Sequence, residues 1–238
     1  MHHYFLPSSP NTISMNFKIC EKVSALGIKV AFLIIHNIDN NHYDDSLKHK
    51  IDKFYTQFLQ EHSTESLEND ANIIGYRKLH KTIGITDKSL VASPESLIKL
   101  LFKHKSLRSI NFIVDTYNYI AIKNKVSIGA HDLKHINGNV RLCFTKGDER
   151  FIPLGKDKLQ NVNCGEYCYI DDDNEILCRL DCRQCDKTKT TTDTKDCLFI
   201  IQGHKNITSK LIKSTAEELL TTFSPYTTDE KECILKIK

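Results

Sequence analysis

No stretch of this 238-residue chain approaches the roughly 18 consecutive apolar residues that a membrane-spanning helix needs; the longest, Val30 to Ile35, has the length of a strand. The N-terminus, MHHYFLPSSPNTIS, lacks the basic-then-apolar order of a secretory signal. A cytoplasmic location with no membrane partner is therefore expected. Also missing are His-Glu-x-x-His, a Walker-type phosphate loop and Gly-x-Gly-x-x-Gly, so nothing points to a nucleotide cofactor or a zinc protease, and no cofactor is expected. There are no internal repeats. With 9 Gly and 5 Pro the chain is neither collagen-like nor of low complexity, and 40% hydrophobic residues suffice for one sizeable core. We expect a flexible leader over residues 1–15, a single domain over 16–224 and a C-terminal tail over 225–238.

Cysteine, by contrast, is plentiful at 9. Without a secretory signal, these read mostly as reduced thiols. The pairs Cys164-x3-Cys168 and Cys182-x2-Cys185, with Cys178 nearby, have spacings a tetrahedral metal can use. Cys168 and Cys178 sit among strand-forming residues, where a free thiol serves as a small hydrophobe, and no metal is expected. Net charge is only +3, but unevenly placed: eight acidic residues face three Lys between Asp39 and Asp70. Between Tyr76 and Arg108 the balance reverses. There Arg77, Lys78, Lys99, Lys103, Lys105 and Arg108 form a candidate phosphate-facing surface, or else solvated helix faces.

Hydrophobic spacing predicts the elements. GIKVAFLII reads as a buried strand. Ser46 to Gln60 carries Leu47, Ile51, Phe54, Tyr55, Phe58 and Leu59 on one helical face. Tyr76 to Leu79 reads as the end of a helix. SPESLIKLLFKHK reads as another, with Ser93 as its cap, Pro94 and Glu95 in the first turn, and Leu97, Leu100 and Leu101 as its buried stripe. INFIV, VRLCF, YCYI, EILCRL and CLFII read as strands, with Asp171 to Asn174 joining YCYI to EILCRL. A last helix spans Ser209 to Phe223. The sum is an α+β domain whose central mixed or antiparallel sheet is flanked by helices.

Two segments concentrate small polar groups: Asp115, Tyr117, Asn118 and Tyr119, and then Asp181 to Thr194. Hydroxyls, carboxylates and amides at turns can line a concave site, though a Thr-rich loop can also be only a loop. Cys185, Asp181 and His131 could meet as a nucleophile, acid and base, but order along the chain does not show it.

Taken together, YRKL at Tyr76 to Leu79, SPESLIKLL, INFIVDTYNY, IGAHDL and TKTTTDTKDCLFII resemble, in order and spacing, the B3/B4 editing domain of the phenylalanyl-tRNA synthetase beta subunit. The likeness is greatest to its stand-alone forms and runs over about residues 25 to 223. It implies a B3/B4-like fold and a relative of the ligase without the aminoacylation core. In the synthetase this domain hydrolyses tyrosine wrongly esterified to the tRNA, with a held water and oxyanion donors. Val114, Asp115, Asn118 and Tyr119 match the family pattern. Tyr117, Gly129 and Ile200 stand where the family carries Thr, His and Glu, which leaves the aminoacyl group open.

The resemblance then implies Asn118, His131 and Asp132 as catalytic groups, and Asp115, Tyr117, Asp181, Thr188, Thr190 and Thr194 as substrate-binding. The partner would be the aminoacylated 3′ end of a tRNA, and no DNA is expected. The alternative is a non-catalytic module binding RNA or an amino-acid-like ligand. Convergence of Asn118, His131 and the Thr188–Thr194 loop on a cleft beside the basic surface favours the editor, and separation favours a binding or vestigial domain.

Overall fold

In a computed structural model, residues 15–41, 44–227 and the backbone of 234–237 are described, so most of the expected leader lies outside the described residues. The elements run β1 (Phe17–Ile19), α1 (Glu21–Ser24), β2 (Lys29–Ile35), α2 (Asp45–Glu61), α3 (Thr64–Glu68), α4 (Ala71–Thr82), α5 (Ser93–His104) and α6 (Phe112–Asn124). Then follow β3 (Ser127–Asp132), β4 (Val140–Phe144), β5 (Tyr167–Ile170), β6 (Ile176–Arg179), β7 (Arg183–Gln184), β8 (Cys197–Gly203), α7 (Ser209–Phe223) and β9 (Ile234–Ile237). The fold is α+β, as expected, but with two sheets.

One sheet is antiparallel, in the order β3-β8-β2-β9. The other runs β1-β4-β5-β6-β7, with only the β1–β4 pair parallel. Strand alternation decides which layer each side chain joins. On β2, Ala31, Leu33 and Ile35 pack with the helices, while Val30, Phe32 and Ile34 pack with Tyr167 and Tyr169 of the second sheet. The four-stranded sheet is thus covered on both faces, which explains why its central strands read as continuous apolar runs.

Four local readings are corrected. INFIV is not a strand: Asn111 caps α6 by accepting from the Val114 N–H at 2.9 Å, and the chain is helical from Phe112. That helix is buried nearly all round, so its apolar residues show no one-sided period and resemble a strand. Ser93 does not cap α5. Ala92 occupies that position, and the Ser93 hydroxyl instead shares a 2.9 Å hydrogen bond with Ser127. The buried stripe of α5 is Ile98 and Leu101, leaving Leu100 46% exposed. Tyr76 to Leu79 is indeed helical, but in the middle of α4.

The cysteines also depart from the expectation in one place. Parallel pairing sets Ile19 opposite Leu142, so Cys20 and Cys143, one residue on, are neighbours and form a disulfide. Cys164, Cys168, Cys178, Cys182, Cys185 and Cys197 are free thiols. No group of three or more His, Cys, Asp or Glu among the described residues could hold a metal.

Candidate functional site

The free edge of β3 is covered by the segment that follows β7. Gln184 Nε2 donates to the Ala130 carbonyl at 2.7 Å, and the Asp132 N–H donates to the Thr188 carbonyl at 2.9 Å. This puts Thr188 beside His131, whose Nδ1 shares a 2.7 Å hydrogen bond with the Thr188 hydroxyl. Cys185 Sγ lies 3.0 Å from the same oxygen. Burial holds the Cys185 thiol protonated, so it can donate to Thr188, which in turn can donate to the imidazole.

His131 is fully buried, and loss of hydration pulls its pKa down to about 3. The ring is neutral at physiological pH. Its Nε2 has no hydrogen-bond partner among the described residues and faces Gly129, two positions back on the same side of β3.

Thr188 also forms part of the wall of a cleft of about 360 Å³. Its apolar surface comes from Phe151, Ile152, Leu159, Ile176 and Leu177. Phe151, Ile176 and Cys185 belong to an apolar cluster separate from the one between the sheets. The cleft therefore opens on the side of the five-stranded sheet away from β2.

From Thr188 the chain continues to the start of α6. Thr194 Oγ1 donates to Asp132 at 2.7 Å and accepts from the Thr191 N–H, while the other Asp132 oxygen accepts from the Lys134 N–H. Asn111 donates to the Thr190 carbonyl at 3.3 Å, and Asn40 bridges the Thr191 carbonyl and the Ile113 N–H. Asp115 turns back to accept from Ser109 and the Ile110 N–H, directly after Arg108. The Thr188–Thr194 loop thus joins the cleft at one end to the helix that follows the basic segment.

Other expected residues stand apart from the cleft. Asn118 is half-buried on α6 and has no side-chain hydrogen bond among the described residues. Tyr117, on the same helix, packs against the helical core, and burial raises its pKa. Asp181 is engaged inside the fold: it accepts from His80 Nε2 and Tyr167 Oη, each at 2.8 Å, and from Gln202 at 3.3 Å. Cys185, Asp181 and His131 accordingly form no triad.

That buried network was missed in the sequence. Tyr169 Oη donates to Gln202 Oε1 at 2.5 Å, and Tyr76 Oη donates to the Gln202 carbonyl. These groups come from four separate elements, and no local spacing signals them. Burial works against charge on His80, but Asp181 outweighs it and raises the His80 pKa. Gly129 and Ile200 are cross-strand partners, on the face that packs against Tyr167 and Tyr169. On that face Gly129 lies next to His131 Nε2, unpartnered among the described residues, and Ile200 is buried in the apolar cluster between the sheets.

Of the basic residues, Arg77 makes two bonds to Glu95, and Lys99 a third at 2.6 Å. Lys78, Lys103, Lys105 and Arg108 are exposed and make no ion pair among the described residues.

A helix layer on an antiparallel sheet, backed by a second sheet with a cleft on its outer side, defines the chain as a two-sheet α+β domain. Residues 76–223 match the model of the B3/4 domain, and the chain belongs to that family. One solved structure to which the chain is similar is an N-terminal fragment of the phenylalanyl-tRNA synthetase beta subunit from Pyrococcus horikoshii. It is 15% identical with a TM-score of 0.49, and the match covers 99% of this chain and 52% of that one. The chain spans about half the length of that relative. No curated protein matches it.

Proposed function

We propose that this B3/4 domain binds the aminoacylated end of a tRNA and hydrolyses the ester in trans. What carries the reading is Thr188, a buried residue of the cleft wall whose hydroxyl is held at 2.7 Å by a neutral imidazole. A water attacks the ester carbonyl, its proton passing through Thr188 Oγ1 to His131 Nδ1. The bond from the carbonyl carbon to the ribose oxygen then breaks, and that oxygen takes the proton back. A base with a pKa of about 3 takes a full proton reluctantly, so the larger service of His131 is to orient Thr188.

Asp132 and Thr194 fix the loop, and Asn111 and Asp115 fix the start of α6. Asn118 is the uncommitted amide on that helix, available to an arriving nucleotide. Lys78, Lys103, Lys105 and Arg108 meet phosphates. A second reading, a binding module without turnover, is favoured by the weak basicity of His131 and by the separation of Asn118 from the cleft.

Purified protein, incubated with tRNAs bearing labelled Tyr, Phe, Leu, Ala or Ser, separates the two readings. Accelerated loss of at least one ester supports hydrolysis. Retention of tRNA on a filter with no acceleration leaves the binding module.

A further inference from the structure

We infer that the outer cleft receives an aminoacyl group with an apolar side chain, presented as an ester whose only charge in the cleft is its α-ammonium. The inference rests on the reading above for the ester and goes beyond it in naming the side chain.

Three observations converge. The cleft surface is aliphatic and aromatic, and Leu154 and Leu159 stand 52% and 61% exposed on the loop beside it. Apolar area left open at a cleft mouth gains by being covered. The buried polar atoms of the wall are committed, Thr188 Oγ1 to His131, Cys185 and the attacking water, and Lys187 is paired with Glu175 and Asp171. A hydroxyl-bearing side chain would find no free buried partner there, and a site discriminates for a hydroxyl only when it supplies one.

Charge supplies the third observation. Glu175 pairs with Arg150 and Lys187, Asp171 with Lys187, and Asp186 with Lys189, so the wall charges are matched, and the exposed neighbours Lys156 and Asp157 make no ion pair among the described residues. An aminoacyl ester carries one positive charge, whereas the free amino acid adds a carboxylate and is neutral overall. That carboxylate would lose water against an apolar wall that offers no buried, unpaired cation among the described residues, so the cleft favours the ester over its own product.

Titration of the full chain with amino-acid amides, which keep the α-ammonium and lack the carboxylate, tests this without any turnover. Leucine amide and phenylalanine amide should bind on the order of tenfold more tightly than serine amide or free leucine. Leu159→Asp, at an exposed position that leaves the fold intact, should weaken both by a similar factor. Equal binding of all ligands, no binding of any amide, or indifference to Leu159→Asp would overturn the inference. Amides bound as expected with no ester hydrolysed would sink the hydrolase reading and leave this one standing. Hydrolysis of tyrosyl or seryl esters in preference to phenylalanyl and leucyl would do the reverse.

Discussion

At Thr188, a residue of the cleft wall, a single hydroxyl serves Cys185 and His131 at once. Thr188→Val keeps the volume and removes the oxygen, leaving a buried imidazole nitrogen without its partner. Such a loss costs about 1–3 kcal/mol, which urea unfolding would show, while Thr188→Ser should restore most of it. The two buried histidines give opposite pH signatures. His131 takes a proton near 6.5 when unfolded but only near 3 when folded, so its contribution is lost as pH falls from 6.5 toward 3. His80, raised by Asp181, contributes stability that is complete below 6.5 and lost as pH rises through its folded value. Denaturant midpoints followed across this range should peak near the ordinary histidine value, and His131→Gln should flatten the acid side. Because His131 stays neutral, hydrolysis should show no inflection near 6.5 on its account; a clear one would assign the step to another group. The sequence named His131, Thr188 and Thr194 separately, yet contained no sign that β3 and the loop after β7 lie edge to edge.

Helix α6 shows where local pattern stops being informative. Amphipathic α2 and α7, packed on one face each, were legible from spacing, as were the buried strands β2 and β8. Packed against α5, α7 and β3, α6 has almost no polar face, and its apolar run carries no period to read. The signal that was available is Asn111, a good cap residue three positions before Val114. Asn111→Ala removes the cap and the tie to Thr190 together and should cost about 0.5–2 kcal/mol of stability, measured by thermal or urea unfolding. It should also loosen the Thr188–Thr194 loop, which faster amide exchange at Thr190 and Thr191 would reveal. Ser93 illustrates the opposite error: its hydroxyl fitted a cap, but tertiary contact with Ser127 claimed it.

For the molecule as a whole, a net charge of +3 conceals a local surface, since Glu95 neutralises Arg77 and Lys99 and leaves Lys78, Lys103, Lys105 and Arg108 without an ion pair among the described residues. Replacing Lys103, Lys105 and Arg108 together with Gln should weaken tRNA binding uniformly and lower the salt dependence by up to about one unit of slope per residue. Unchanged slope would place the RNA elsewhere. The central claim, that the Thr188–His131 pair hydrolyses an aminoacyl ester of tRNA, is tested most directly by single-turnover deacylation with the wild type, Thr188→Val and Thr188→Ser, each checked for folding. The account predicts acceleration of at least one ester by the wild type and by Thr188→Ser, and its loss in a folded Thr188→Val. Undiminished hydrolysis in Thr188→Val, or none by the wild type on any ester, would contradict it.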